Sequence, residues 1–265
     1  MEPLKEVGVR RSAHAQAQTQ AQAQAATESD RVAVEAPVAL VFNGISHAVM
    51  MATPADLEAF ALGFALTEGL LERRDECFGI DILEGQRGCE VQIEIAAAAE
   101  MRLKERRRNL AGRTGCGLCG IDSLQALDLT PTPLSSPLQI EAAAIARAFE
   151  QLPHLQVMNK ASGAHHAAGW ASPDGELIQV MEDVGRHNAL DKLLGSRVLA
   201  RESLSEGFVI MSSRASSELV LKCARLKVPL LATISAPTSM AIEIAANTGM
   251  ALYGWCRGER SVRYA

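Results

Sequence analysis

Between residues 187 and 256 the chain alternates helix and strand in a rhythm that few folds accommodate. Helical spacing marks 187–194, 215–226 and 238–247, and short apolar runs at 207–211, 228–234 and 250–256 read as strands. Strands separated by helices pair in parallel, because the crossover consumes a helix, and helices then cover the sheet. Ahead of this stretch, Ser136-Pro137-Leu138-Gln139 has capping-box spacing and predicts an alanine-rich helix to about Leu152. A hairpin follows, Ala164–Ala171 with Glu176–Met181, turned by Ser172-Pro173-Asp174-Gly175.

The order α-β-β-α-β-α-β-α-β is similar to the cytidine-deaminase-like fold, so residues 136–265 are expected to form a deaminase-like α/β domain with a mixed sheet. The first half reads as a smaller α+β domain, residues 31–135. Val38–Phe42 and Ile45–Met51 flank Asn43-Gly44, a strong two-residue hairpin signal. Thr53-Pro54 predicts the start of a helix carrying Leu57, Phe60, Ala61 and Phe64 on one face. Phe78, Ile80 and Ile82 alternate in one later strand, and Val91, Ile93 and Ile95 in another. Residues 1–30, with an Ala/Gln alternation from Ala13 to Ala26, offer little to bury and are expected to be a disordered tail. Asp128–Pro137, with three prolines, reads as a linker.

With 265 residues and 48% apolar content the chain can build a full core without disulfides. A net charge of −5 argues against a general nucleic-acid role. Arg10-Arg11 precedes no apolar segment, and the longest uncharged window, Ala36–Ala55, holds prolines, Asn43 and His47. No export signal or membrane span is therefore expected, and a cytoplasmic protein with reduced thiols is. Of six cysteines, at 77, 89, 116, 119, 223 and 256, only Cys116 and Cys119 form a close pair.

That pair sits in Gly112-Arg113-Thr114-Gly115-Cys116-Gly117-Leu118-Cys119-Gly120, too rich in glycine for regular structure. Arg102, Lys104, Arg106, Arg107, Arg108 and Arg113 precede or flank it, and nearby cations favour the reactive thiolate. The alternative is a zinc knuckle or a solvated basic face. A structural zinc takes four ligands, usually as two close pairs, and only one pair exists. Zinc-deaminase chemistry would need an H-x-E or C-x-E element that is absent, so no permanent metal is expected.

Ligands of open α/β sheets gather at the carboxyl ends of strands. Three polar clusters fall there: Glu182–Asn188, Ser212-Ser213-Arg214 and Ser235–Ser239. Each precedes a helix, whose N–H groups can receive phosphate oxygens, although ordinary N-capping uses the same residue types. Glu182/Arg186 and Asp183/His187/Asp191 lie four apart, which suits either a salt-bridged helix entrance or a direct ligand role for His187. In Ser162-Gly163-Ala164-His165-His166 the two histidines point oppositely if extended, with His165 preferred for the site.

Taken together, Thr114–Gly120, Glu182–Lys192, Arg214-Ala215-Ser216-Ser217-Glu218-Leu219-Val220 and Ser235–Ser239 resemble the FdhD family, the formate dehydrogenase accessory sulfurtransferases, over roughly Arg31–Ala265. The family pattern reads TGGxHxA where this chain has Ser162-Gly163-Ala164-His165-His166. The resemblance implies a sulfur relay: a cysteine desulfurase loads a persulfide on the Cys116/Cys119 loop. The sulfur then passes to the molybdenum of the bis(molybdopterin guanine dinucleotide) cofactor, bound as a substrate, before that cofactor enters formate dehydrogenase. It further implies that Trp255-Cys256-Arg257-Gly258-Glu259-Arg260 holds the cofactor, joined by Arg214, Ser235 and His187. The guanine nucleotide part, the desulfurase and the formate dehydrogenase catalytic subunit are the expected partners, with a homodimer left open. A non-catalytic chaperone for the same cofactor, with the cysteine pair as a zinc or redox clip, is the alternative.

Overall fold

The computed structural model describes residues 1–9, 28–108, 131–134 and 138–265. The Gly112–Gly120 segment with Cys116 and Cys119, the whole Ala/Gln stretch from Ala13 to Ala26, and Ser136-Pro137 lie outside the described residues.

The first elements correct an expectation. β1 (Leu4–Val9) pairs antiparallel with β2 (Glu28–Ala33), from Leu4 opposite Ala33 to Val9 opposite Glu28, where the sequence reading expects only a disordered tail. Leu4, Val7 and Val9 are half-buried in this ribbon. Its two strands are far apart in sequence, so no local turn signal announced them.

β3 (Ala36–Phe42) and β4 (Ile45–Ala52) form the expected hairpin, with Asn43 at φ 46° and Gly44 at φ 76°, the left-handed pair a two-residue turn of this kind requires. α1 (Leu57–Thr67) follows, then β5 (Cys77–Gly85), β6 (Gly88–Ile95) and α2 (Ala97–Arg108). The sheet runs β4-β3-β6-β5, with β3 and β6 parallel. Val38, Leu40, Phe42, Val91 and Ile93 pack with Phe60 and Phe64 of α1. The helix starts later than Thr53-Pro54 predicts: Asp56, at φ 53°, precedes Leu57. Thr53 is engaged elsewhere. Its hydroxyl accepts the Val184 N–H at 3.1 Å and its own N–H donates to Asp183 Oδ2 at 3.0 Å.

The second sheet belongs to the remaining elements. These are α3 (Ala142–Leu155), α4 (Val157–Ser162), β7 (His166–Ala171), β8 (Leu177–Asp183), α5 (Arg186–Leu199) and β9 (Phe208–Met211). Then come α6 (Ser217–Arg225), β10 (Leu230–Thr233), α7 (Ser239–Thr248), β11 (Ala251–Arg257) and β12 (Arg260–Arg263). Strand order is β12-β11-β10-β9-β7-β8. β9, β10 and β11 are parallel, while β7 is antiparallel to both β8 and β9, so the fold is mixed α/β. Val209 and Met211 face α5, α6 and α7, whereas Phe208 and Ile210 face α3. Two elements escaped the sequence reading: the short α4, and β12, which folds back on β11 through Gly258 at φ 54°.

The two sheets are joined where α1 crosses α5. A Cβ on Gly63 would stand 1.8 Å from the Asp191 carbonyl oxygen, and one on Gly195 would stand 1.9 Å from that of Ala59. Backbone therefore meets backbone. Beside this crossing Asp191 accepts from Thr67 Oγ1 at 2.7 Å and pairs with Lys222, which also reaches Glu68.

Candidate functional site

β8, β9, β10 and β11 all run the same way, so their carboxyl ends line one edge of the sheet, and β7 begins at that edge with His166 opposite Asp183. The three polar clusters gather there. What each side chain does there follows from its partners.

Much of the Glu182–Lys192 run is structural. Asp183 is fully buried and accepts N–H groups from Thr53 and Gly185, accepts from Asn188 Nδ2, and pairs with Lys192 Nζ at 2.7 Å. Lys192 also donates to the Thr53 carbonyl, and Asn188 to that of Met51. Glu182 is not paired with Arg186. It accepts the Met158 and Asn159 N–H groups, both at 2.8 Å, and so caps α4. Nor do Asp183 and Asp191 hold His187, as a salt-bridged entrance within one helix would require. The partner of His187 is Glu218 of α6, with Nε2 and Oε2 2.7 Å apart. The imidazole holds the Glu218 carboxyl below the usual carboxylate range.

The two adjacent histidines differ in burial and partners. His165 is buried, its Nδ1 2.8 Å from Ser162 Oγ and its N–H on Asn159 Oδ1, and burial pushes its pKa down. His166 is half-buried, and burial, followed by the neighbouring Arg186 and His187, disfavours its charged form. His166 thus shares the electrostatic neighbourhood of Arg186 and His187.

On the next strands the hydroxyls are largely engaged. Ser212 Oγ accepts the Ala167 N–H, Ser213 Oγ donates to the Arg214 carbonyl, and Thr238 caps the Ala241 N–H of α7. Arg214 is exposed. The Ser235 carbonyl accepts from Thr233 Oγ1 and from the Trp255 N–H, while Arg257 Nε donates to the Ile234 carbonyl at 3.2 Å. Ser235, Trp255 and Arg257 are thereby one cluster. Trp255 sits at φ 55° where the β11–β12 register shifts, 45% exposed, with the Arg257 guanidinium 5.8 Å from its ring centroid. Gly254 allows the close approach, since a Cβ there would meet the Ser235 carbonyl at 3.0 Å. Gly258 and Glu259 in the turn and Arg260 at the start of β12 are exposed. Cys256 instead faces the core, and burial pushes its thiol up to about 12.

Sequence reasoning overlooked Glu218 as the His187 partner. An acid in a first helical turn reads as ordinary dipole complementation, and no local spacing links residues 187 and 218. Cys77, Cys89 and Cys223 are, like Cys256, free and buried, and burial raises all of their thiols. No group among the described residues has the His/Cys/Asp/Glu count to hold a metal, and no described helix is long and apolar enough to cross a membrane.

A model of the FdhD/NarQ family matches residues 33–265. The sulfur carrier protein FdhD of Chromobacterium violaceum is 57% identical over 238 residues, covering 89% of this chain and 88% of the relative. That of Burkholderia mallei is 51% identical over 245 residues, covering 90% and 89%. The fold is similar to a crystal structure assigned as a formate dehydrogenase accessory protein from Desulfotalea psychrophila. That similarity has a TM-score of 0.72 at 25% identity, over 98% of this chain and 95% of that one. With the family pattern running from the end of β2 to the last residue, this chain belongs to the FdhD/NarQ family.

Proposed function

We propose that this chain is a sulfur carrier for formate dehydrogenase maturation. It takes persulfide sulfur from a cysteine desulfurase onto Cys116, with Cys119 beside it, and passes the sulfur to the bis(molybdopterin guanine dinucleotide) cofactor before that cofactor enters formate dehydrogenase. The names of the relatives support the sulfur-carrier role. The observation that carries the assignment of sulfur to Cys116 and Cys119 is the state of the other thiols. Four of the six cysteines are buried with raised pKa, which disfavours the nucleophilic thiolate. The remaining two follow a cationic stretch in a glycine-rich segment. In loading, the Cys116 thiolate attacks the outer sulfur of the donor persulfide, the donor S–S bond breaks and the donor thiolate leaves.

The carboxyl edge is the cofactor's seat in this reading. From β8 to β11 it spans four strand spacings, about 19 Å, a length suited to a dinucleotide. Trp255 offers a flat face to guanine, and Arg257, Arg260 and Arg214 offer forked donors to phosphate. Ser235 and His187 lie along the same edge, Gly258 and Glu259 shape the turn, and Cys256 contributes through packing. Residues 136–265 are taken as a cytidine-deaminase-like unit that keeps the outline of that fold without its zinc chemistry, and residues 31–135 as the smaller unit before it.

Intact mass after incubation with a desulfurase and cysteine tests the relay. The chain should gain sulfur, Cys116→Ala should abolish the gain and formate dehydrogenase maturation, and Cys119→Ala should leave part of the loading. No gain on the unaltered chain overturns the relay. Sulfur mapped only to Cys119 reverses the order of the two thiols.

A further inference from the structure

His165 immediately precedes β7, at the carboxyl edge, and is only 6% exposed. Its surroundings fix which ring nitrogen carries the proton. Ser162 Oγ has one hydrogen to give, and it donates that to the Met158 carbonyl at 2.9 Å. It therefore accepts from His165 Nδ1, 2.8 Å away, which leaves Nε2 as a bare lone pair. That Nε2 is enclosed and has no hydrogen-bond partner among the described residues. A buried acceptor without a donor is unfavourable in the empty protein. The acids beside it are already served: Glu182 accepts the Met158 and Asn159 N–H groups, and Asp183 pairs with Lys192. Of these three groups, His165 alone has an acceptor unclaimed.

The element against the ring is lightly held. α4 spans six residues and buries none of them. Polar contacts fasten it: Glu182 on its first N–H groups, Asn159 Oδ1 on the His165 N–H, and Ser162 on the ring. An element with so little apolar burial opens at small cost. Burial pushes the His165 pKa down, so the ring stays neutral and its lone pair suits a neutral N–H donor, not an anion. At the other end of the edge, Arg257 and Arg260 of β11 and β12 are matched to phosphate. We propose that His165 Nε2 accepts an N–H of a pterin ring when α4 gives way, so that the dinucleotide lies with its pterin at β7 and its guanine nucleotide at β11. The two strands are three spacings apart, about 14 Å. A pterin is uncharged and carries amino and ring N–H donors along one side, as a bare neutral acceptor requires. This rests on the reading of the carboxyl edge as the cofactor's seat, and it adds the direction in which the cofactor lies.

The test titrates the full chain with neopterin, a soluble pterin, and separately with GDP, and follows the histidine ring nitrogens by NMR. The empty protein should show His165 with Nδ1 protonated and Nε2 not. Neopterin should move the Nε2 resonance upfield, as a nitrogen that gains a hydrogen bond does, and GDP should leave it in place. His165→Phe keeps the bulk without the acceptor and should weaken neopterin about tenfold, the worth of one hydrogen bond, with GDP affinity unchanged. His165→Gln, which retains an acceptor, should recover part of that loss. The Met158 and Asn159 amides should exchange faster than those of β7, and slow when neopterin binds. If His165→Phe does not fold, the Nε2 resonance of the unaltered chain decides. An Nε2 resonance unmoved by bound neopterin overturns the proposal alone. So do equal losses of both probes in His165→Phe, a loss confined to GDP, α4 amides as protected as those of β7, or a chain that binds GDP and not neopterin. Failure of both probes to bind overturns it together with the cofactor-seat reading, while sulfur loading is judged separately.

Discussion

Gly63→Ala should be among the most damaging single-methyl additions this chain can receive. The new Cβ would lie 1.8 Å from the Asp191 carbonyl oxygen and 2.6 Å from its carbon, and ordinary contact begins near 3.4 Å. Both atoms are main chain inside α5, so no side-chain rotation relieves the clash. α1 and α5 must part by roughly 1.5 Å. That separation loosens the packing of a well-filled interface, which costs about 1–3 kcal/mol for a typical overpacked site. It also strains the buried Thr67–Asp191–Lys222 contacts that sit against the same crossing. Alanine regains about 0.5–1 kcal/mol of helix propensity over glycine, which opposes the loss without cancelling it. A main-chain clash this deep takes the upper end of that range, about 3 kcal/mol, so a net destabilisation of about 2–2.5 kcal/mol should lower the melting temperature by roughly 4–10 °C for a chain of this size. Gly79→Ala, where only a Glu94 carboxylate oxygen comes within 4 Å of the added carbon, at 3.8 Å, separates the clash from the loss of glycine itself. Differential scanning fluorimetry of both variants is sufficient. If Gly63→Ala melts within a degree of the parent, or higher, the helix-propensity gain has won and α1 and α5 are not in backbone contact.

Brief alkylation of the folded protein near neutral pH should label Cys116 and Cys119 and spare Cys223 and Cys256, whose thiols are buried and raised. Peptide mapping that finds Cys256 labelled as fast as Cys116 would remove the thiol argument for the relay. Glu76, buried but held below the usual carboxylate range because two Arg102 hydrogen bonds and the Glu72 N–H outweigh its desolvation, ties stability to acid. A depressed folded pKa contributes stability that is present above the ordinary Glu value, about 4.3, and is lost as pH falls through the folded one. Glu76→Gln should therefore melt lower than the parent at pH 7, and the gap should narrow below pH 4; a gap constant with pH would contradict this.

The parts of the fold that the sequence announces are those set by nearby residues. Asn43-Gly44 dictates its hairpin because two consecutive left-handed residues admit few other connections. The strand–helix rhythm after residue 187 likewise produces β9 to β11 in the expected order, since each apolar run is long enough for one buried strand. What stayed hidden was long-range pairing. Thr53 looks like a helix cap until Asp183 and Val184, 130 and 131 residues later, claim its polar groups. Glu182, Asp183 and Asp191 look like partners for neighbours four residues away, yet α4, Lys192 and Lys222 take them. The site followed the same division. The polar edge was legible from strand ends, while the Glu218 partnership depends on α6 lying beside the start of α5.

Thr53 has a bearing on how the protein is made. Three of its atoms are spent on residues 183–192: N–H to Asp183, hydroxyl from Val184, and carbonyl from Lys192. On the ribosome β3, β4 and α1 emerge before the second sheet, and the turn between β4 and α1 must wait for more than a hundred further residues before its polar groups find their partners. Until then Gly63 has no α5 to lie against, and the apolar side of α1 that faces α5 is open to solvent. For the length of that delay the early half carries an uncovered apolar face, the kind of surface through which incompletely folded chains aggregate. Once α5 arrives, Asp183 and Lys192 pair with each other at 2.7 Å, and Thr53 adds an N–H for the carboxylate and a carbonyl for the ammonium. The late half thus supplies the partners that the turn between β4 and α1 lacks, and α5 covers the side of α1 on which Gly63 stands.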